Sequence, residues 1–189
     1  VSTLELLLRQ AGFSVHWSQL PVWRLFALPV GISFYTFQTM SYTIDVYRRE
    51  LDPEPSLLHY AMYVTFFPQL VAGPIVRARD FLPQLHRIPA LTRDATITGL
   101  LLIGSGLVKK LIIADILAVN LVDRVFEAPL MMSAAESLAA IYAYTLQIYC
   151  DFSAYSDIAI GSAALLGFIL PVNFRDPFKA QNLTEFWQR

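Results

Sequence analysis

The sequence lacks the features from which nucleic-acid and metal sites are usually built. Its 14 Lys and Arg are scattered among 15 Asp and Glu, for a net charge of −1. Because affinity for phosphate requires a concentrated positive surface, we expect no nucleic-acid partner. The single cysteine, Cys150, cannot form an intrachain disulfide. With no Cys or His at ligand spacing from it, we predict no metal site and a buried packing role for the thiol.

Charged residues are scarce and apolar residues abundant. Charged residues make up 15% of the chain, apolar residues make up 56%, and the mean hydropathy is +0.49. These values are shifted away from those of soluble proteins, so the composition predicts a membrane protein. The first twenty residues carry Glu5, Arg9 and His16 and lack the basic start and apolar middle of a signal peptide, so none is predicted there.

Two long stretches without charge predict membrane segments. Residues 25–44 would span about 30 Å as a helix, the thickness of a hydrocarbon core, and predict a first crossing. Residues 55–76 are also uncharged, but Pro68 and the pair Gly73-Pro74 must interrupt a helix there. Broken backbone at membrane depth needs protein or water around it. This stretch is therefore a candidate for lining a cavity, with an ordinary Pro-kinked crossing as the alternative.

The connections differ in charge. Residues 77–94 contain four Arg and two Asp, whereas the preceding connection, 45–54, contains two Arg and four acids. The excess of Arg predicts that 77–94 lies on the cytoplasmic side. Its Leu, Phe and Ile residues suggest a segment lying along the interface.

The next apolar stretch, residues 95–108, is short for a crossing and ends at Lys109 and Lys110. Either the two lysines snorkel while the helix continues, or the segment dips in and returns. A set of glycines is predicted to let a neighbouring helix approach closely: Gly99, Gly104 and Gly106.

Residues 137–174 hold two acids deep within apolar sequence, Asp151 and Asp157. Such acids usually face the interior of a helix bundle and mark a functional path. On a helix the two acids lie about 120° apart, so they do not form a matched pair on one face. The alternative is a break between two helices, with the stretch "DFSAYSD" as a polar surface turn.

Four blocks together resemble the membrane-bound O-acyltransferase family: "LPVGISFYTFQ", "FFPQLVAGPIVR", "QIYCDFSAYSDIAIG" and "PVNFRDPFKAQNLTEFWQR". Within the family they are most similar to the bacterial branch that includes the alginate O-acetyltransferase membrane subunit. The resemblance covers residues 28–189 in family order. It implies an all-α, polytopic membrane helical bundle with kinked or re-entrant helices, in the bacterial inner membrane. Residues 1–189 are then expected to be one internal fragment of a single membrane-embedded domain, truncated at both ends.

The resemblance also implies an activity. The parent protein is expected to transfer an acetyl or similar short acyl group toward hydroxyls of an exported polysaccharide such as alginate. Acetyl-CoA or another activated acyl carrier would be the donor, and no bound cofactor is expected. The expected partners are membrane lipid, the polysaccharide and a periplasmic or membrane-anchored acetyltransferase protein. The alternative is a transporter or channel that uses Asp151 and Asp157 as a proton or ion relay.

In this family the segment resembling "NLTEFWQR" is followed by a Trp-His pair whose His is regarded as catalytic. That His would fall two positions past Arg189, so the fragment alone is expected to be inactive. The histidines present do not match its position, and no catalytic role is assigned to them: His16, His59 and His86.

The family also implies a second polar residue in the window from Asp151 to Ser156, and we predict that Asp151 supports the catalytic His. Its carboxylate could fix the tautomer of the imidazole and stabilise its charged form. The alternative is that Asp151 caps a helix beginning at Phe152. The predicted chamber-lining or substrate-binding residues are Ser153, Tyr155, Asp157, Asn173 and Arg175. Arg175, with Lys179 four residues later, could attract an anionic donor or anchor the interface.

Overall fold

The computed structural model describes residues 31–70, 73–87 and 91–189. Within it, Ser33–Arg189 form one compact unit. All regular elements in the described ranges are helical, which confirms the predicted all-α class. The helices are α1 (Ile32–Tyr47), α2 (Leu57–Thr65), α3 (Ala78–Leu85), α4 (Arg93–Val108), α5 (Asp115–Leu117), α6 (Asp123–Glu127), α7 (Ala134–Leu165) and α8 (Leu183–Gln188).

Helix α7 runs unbroken through the two acids. It starts at a capping box in which Ser133 accepts the N–H of Glu136, and Glu136 accepts the N–H of Ser133. It ends where Gly167 adopts φ 81° and Phe168 donates its N–H to the carbonyl of Ala163, a Schellman ending. The predicted alternative of a polar turn at "DFSAYSD" is therefore wrong, because this stretch contains no Gly or Pro to end the helix. The capping alternative for Asp151 is wrong for the same reason.

Helices α4 and α7 pack closely through glycines. A Cβ added to Gly161 would lie 2.5 Å from the carbonyl oxygen of Gly99, and one added to Gly106 would lie 2.7 Å from that of Ala154. The prediction of close approach is thus confirmed at Gly99 and Gly106. It is wrong at Gly104, where an added Cβ would meet nothing within 4 Å. The contacting positions advance along α4 as they recede along α7, so the two helices are antiparallel.

The chain continues helically past α4. Two π-helical segments, Lys109–Ala114 and Ala118–Val122, flank α5. The alternative in which the segment dips and turns back at the lysines is therefore wrong. The lysines do not simply snorkel outward, since both reach acids on α7, as described below.

The stretch 55–76 is broken as predicted. Helix α2 ends at Thr65, a 3-10 turn spans Phe67–Gln69, and the backbone from Gly73 to Val76 is not helical. The alternative of a continuous Pro-kinked helix is therefore wrong.

Side chains satisfy the backbone freed by this break. The carbonyl of Tyr63 accepts hydrogen bonds from Gln38 Nε2 and Gln69 Nε2, both at 2.9 Å. The fully buried Tyr63 hydroxyl donates to the carbonyl of Val76 at 3.0 Å. Protein groups thus replace the missing helical bonds, as a buried irregular backbone requires.

An aromatic cluster forms the core beside this break. The Phe66 ring lies 4.8 Å from Phe81 and 5.1 Å from Phe168, and Phe81 stacks on Phe168 at 5.4 Å. Phe81 also contacts Tyr63 across 5.9 Å. These rings join α2, α3 and the end of α7, and α3 buries the face that carries Phe81.

Both connections around the broken stretch lie at one end of the unit. Glu54, before α2, contacts His86, after α3, at 3.1 Å. Gln84 of α3 exchanges two hydrogen bonds with the backbone of Ile169, beyond α7. The chain therefore leaves this end at Glu54 and is back at it at His86, after α3. The cytoplasmic side for 77–94 stays a prediction.

Within the described ranges, no helix is both long and apolar enough to cross a membrane. The predicted first crossing, residues 25–44, begins outside the described residues, and its described part belongs to α1.

Candidate active site

An aromatic pocket of about 510 Å³ lies between α7 and the C-terminal segment, residues 171–189. The lining residues on α7 recur at helical spacing, so they all lie on one face of that helix. Most of the lining is apolar, with polar groups at Thr145, Asn173 and Arg189. The lining residues are Tyr144, Thr145, Ile148, Tyr149, Phe152, Asn173, Phe174, Pro177, Phe178, Phe186, Trp187 and Arg189.

Edge-to-face aromatic contacts hold the C-terminal segment on α7. The Tyr149 ring lies 5.8 Å from Phe174 and 5.0 Å from Phe178. Phe152 also meets Phe174, at 5.1 Å. Such contacts are favourable beyond the area that they bury, by about 0.5–1.5 kcal/mol each. They fix the two walls of the pocket against each other.

Helix α8 is built by local capping. The Asn182 side chain accepts the N–H of Glu185 at 2.8 Å, and Glu185 Oε2 accepts the N–H of Gln181 at 2.8 Å. The N–H of Gln181 and then the guanidinium of Arg189 lower the pKa of Glu185. Glu185 in turn holds Arg189, whose Nη2 lies 2.7 Å from Oε1. Arg189 therefore reaches the pocket in a defined position.

Arg175 is placed by its backbone. Its N–H donates to the carbonyl of Arg189 at 2.6 Å, and its own carbonyl accepts from Arg189 Nη1 at 3.1 Å. The predicted partner Lys179 pairs instead with Asp176, at 2.8 Å, and lowers the pKa of that carboxyl. The structure thus does not join Arg175 and Lys179 into one cationic site.

Asn173 connects the pocket to α7. Its Nδ2 donates to the buried Ser156 hydroxyl at 3.0 Å, and Asn173 is itself part of the pocket lining. Among the predicted site residues, Asn173 is the one that lines this pocket. Its amide is held in place by a partner from another element.

Asp151 lies on a different face of α7. The helical angle places it about 100° from the centre of the pocket wall. Its carboxylate pairs with Lys110 Nζ at 2.7 Å, and the same Nζ lies 2.9 Å from Asp115. The Asp151 side chain is 53% exposed in the described unit. In this arrangement Asp151 is half of an ion pair and not part of the pocket wall.

Asp157 pairs with the neighbouring lysine. Lys109 Nζ lies 2.7 Å from its carboxylate, and the Ser105 hydroxyl donates to the same oxygen at 3.4 Å. Its side chain is 21% exposed. The two acids reach different lysines, in agreement with their predicted separation around α7. Pairing neutralises both, which disfavours the alternative of a proton relay.

The remaining predicted site residues on α7 are Ser153 and Tyr155. Ser153 is buried and donates to the carbonyl of Cys150 at 3.4 Å, while Tyr155 is half-buried. Neither belongs to the pocket lining. Cys150 is buried, which confirms its predicted packing role.

The aromatic lining was missed by the sequence interpretation. The spacing of Tyr144, Ile148, Tyr149 and Phe152 already marks one helical face, but an apolar face is equally typical of simple packing. Their relation to Trp187 depends on how the C-terminal segment folds back, which no local pattern shows.

Comparisons with known proteins agree on one family. The model of the membrane-bound O-acyltransferase family matches residues 14–189. A probable alginate O-acetylase of Pseudomonas aeruginosa is 44% identical over 163 residues, which cover 86% of this chain and 31% of that protein.

Two relatives of lower sequence identity are named for peptidoglycan and teichoic acid. A peptidoglycan O-acetyltransferase of Helicobacter pylori is 34% identical, over 86% of this chain and 36% of its own length. A teichoic acid D-alanyltransferase of Bacillus subtilis is 30% identical, over 85% of this chain and 41% of its own length. The chain thus spans roughly a third of the length of the curated relatives that it matches most strongly.

Proposed function

The chain belongs to the membrane-bound O-acyltransferase family, and we propose from this premise that the full-length protein transfers an acetyl or similar short acyl group toward hydroxyls of an exported polysaccharide such as alginate. Relatives named for alginate, peptidoglycan and teichoic acid support the polymer class. Acetyl-CoA or another activated carrier is the proposed donor. A periplasmic or membrane-anchored acetyltransferase protein is the proposed partner.

The proposed setting is a multi-pass protein of the bacterial inner membrane. Large apolar side chains face outward on several helices of the described unit, which suits contact with lipid or with further helices of the same protein. Examples are Phe37 and Met40 on α1, Leu100 and Leu101 on α4, and Ile141 and Tyr142 on α7.

The proposed catalytic base is the His expected two positions past Arg189. Consecutive Cα atoms are about 3.8 Å apart, so this residue lies within about 7.6 Å of the Cα of Arg189. Phe186, Trp187 and Arg189 line the aromatic pocket, so an imidazole at that position could reach it. The pocket beside the C-terminal segment is the observation that supports the proposal.

The pocket then suits acyl transfer. The acceptor hydroxyl oxygen attacks the acyl carbonyl carbon while the imidazole takes the hydroxyl proton; the donor group leaves and recovers that proton. The apolar walls keep water away from the reacting carbonyl, where it would hydrolyse the donor.

Asp151 and Asn173 are the two candidates for the residue that positions the imidazole. The sequence predicts Asp151, whose carboxylate could stabilise an imidazolium but would first have to leave Lys110. Asn173 lies in the pocket wall and is oriented by Ser156, so its position favours it. The negative charge therefore favours Asp151 as the positioning residue, and the position in the pocket wall favours Asn173.

The test compares the full-length wild type with Asp151→Asn, Asp151→Ala and Asn173→Ala, and with Asp157→Asn as the matched acidic control. Transfer of labelled acetyl from acetyl-CoA to polymer is measured in membranes, per amount of protein. A positioning role for Asp151 predicts a loss of about 100-fold in the Ala variant and a smaller loss in the Asn variant. It also predicts that the acid limb of the pH–rate profile moves to lower pH, because losing a nearby negative charge eases deprotonation of the imidazole.

A loss in Asn173→Ala alone would assign the role to Asn173. Wild-type activity in all four variants, with the expected His essential, would remove both candidates. If replacing the expected His left transfer intact, the proposed chemistry itself would be wrong.

A further inference from the structure

Three potential metal ligands converge at the end of the unit where the chain enters α2 and leaves α3. Glu54 precedes α2, His59 lies in its first turn, and His86 follows α3. Glu54 Oε1 lies 3.3 Å from His59 Nδ1, and Glu54 Oε2 lies 3.1 Å from His86 Nε2. One ligand atom from each of the three lies within 4.8 Å of the others. The two imidazole rings meet edge to face at 4.7 Å.

The cluster is fixed by the backbone around it. The Ser56 hydroxyl accepts the N–H of His59 and so caps α2, which sets the direction of the first turn. The N–H of Ser56 donates to Glu54 Oε1 at 3.1 Å. Such hydrogen bonds to a ligating carboxylate orient it and are typical of the surroundings of metal sites.

The Glu54 side chain brings a negative charge into a partly shielded position. Its side chain is 4% exposed, and the partners of its oxygens are the N–H of Ser56 and the two imidazoles. A shielded anion is costly without a cation beside it, and a metal ion would supply one.

We propose that Glu54, His59 and His86 bind a divalent transition-metal ion, with Zn²⁺ as the best fit. Two imidazole nitrogens and one carboxylate are a ligand set that zinc takes, with a fourth position left for water. Zinc–ligand distances of about 2.0–2.2 Å in a tetrahedron separate ligand atoms by about 3.3–3.6 Å. The two carboxylate–imidazole distances already approach this value.

The ion has a route to the site and a structural consequence there. The His86 side chain is 51% exposed, so the fourth position can open to solvent. None of the three ligands belongs to the lining of the aromatic pocket. A bound ion would join the connection before α2 to the end of α3 and so close the loop from Glu54 to His86, which contains the broken stretch. It would therefore stabilise the fold, and it is not part of the acyl-transfer chemistry.

The experiment uses the full-length protein, purified without a histidine tag, stripped with EDTA and then equilibrated with Zn²⁺. Zinc content is measured by elemental analysis, and the apparent melting temperature is measured with Zn²⁺ and with Mg²⁺. The variants are His86→Gln and the double variant His59→Gln/His86→Gln. Arg87→Gln is the matched control, because it changes the neighbour of His86 without touching the ligands.

The wild type and Arg87→Gln should bind about one more zinc per chain than the double variant. Zn²⁺ should raise their melting temperature in a concentration-dependent way, and Mg²⁺ should not. His86→Gln should bind zinc at least tenfold more weakly. Substituted Co²⁺ should give the visible absorption of a four-coordinate site in the wild type and not in the double variant.

Equal zinc content in the wild type and the double variant would overturn the proposal. So would a wild-type melting temperature that Zn²⁺ leaves unchanged, a measurement that needs no variant to fold. In either case the cluster is a carboxylate held by imidazole hydrogen bonds alone.

Discussion

Replacing Gly106 by Ala should destabilise the protein, whereas the same change at Gly104 should not. Both glycines lie in α4, two residues apart, so the change in helix propensity is the same. An Ala there favours the helix by about 0.5–1 kcal/mol in each case. The surroundings differ, because an added Cβ at Gly106 would lie 2.7 Å from the Ala154 carbonyl oxygen and 2.7 Å from Ile158 Cγ1, and one at Gly104 would meet nothing within 4 Å.

The size of the difference follows from these contacts. Forcing a methyl group into a packed interface costs about 1–3 kcal/mol, and the Ala154 oxygen is backbone, which cannot turn away without moving α7. Because the propensity terms cancel, Gly106→Ala should be less stable than Gly104→Ala by about 1–3 kcal/mol. For a unit of this size that corresponds to about 2–12 °C in melting temperature, and the shift is smaller in the longer full-length protein, whose unfolding entropy is larger.

The assay measures the apparent melting temperature of the full-length protein in detergent. Size-exclusion chromatography with fluorescence detection gives the amount of protein that remains folded after heating. Gly104→Ala should melt at or slightly above the wild type, and Gly106→Ala clearly below both. Equal melting temperatures for the two variants would refute the close packing of α4 on α7 at this point.

Three further predictions concern the site and the core. The parent gene should encode Trp and then His directly after Arg189; sequencing it tests the catalytic proposal, which a continuation without His in the next five positions would remove. The 189-residue chain, expressed alone in membranes with donor and acceptor, should transfer no acyl group above background, and measurable turnover would show that the chemistry lies within it. Tyr63→Phe should lower the free energy of unfolding by about 1–3 kcal/mol, because the buried Val76 carbonyl loses its donor; Tyr47→Phe, at an exposed tyrosine, is the control and should be neutral.

Some features of the fold follow from the chemistry of single residues, and these could be predicted from the sequence. Pro68 and Pro74 lack the N–H that a continuing helix needs, so the break in 55–76 was predictable. Small residues permit close helix contact, and Gly99 and Gly106 make it. Gly104 shares their chemistry but points elsewhere, because a residue type does not specify which face of a helix meets its neighbour.

Features that depend on distant contacts were not predictable in the same way. His86 lies 32 residues from Glu54, and no spacing rule joins them, so the sequence predicted no metal site. Asp151 was expected beside the reaction chamber because buried acids usually mark function. The nearest cation to it, Lys110, is supplied by a π-helical segment that no sequence pattern indicated.

The lysines of that π-helical segment pair with acids on one face of α7 and so distinguish this face from the opposite one. A π-helix brings residues five apart onto one side, which allows Lys110 to reach Asp115 while it also pairs with Asp151. Lys109, one residue earlier, pairs with Asp157. Two acids that would be expensive in apolar surroundings are thereby neutralised on the side of α7 that meets this segment. The opposite side, with Tyr149 and Phe152, is left uncharged to form the pocket wall. The lysine pairs and the aromatic pocket therefore lie on different faces of α7, with the charges confined to one and the apolar wall to the other.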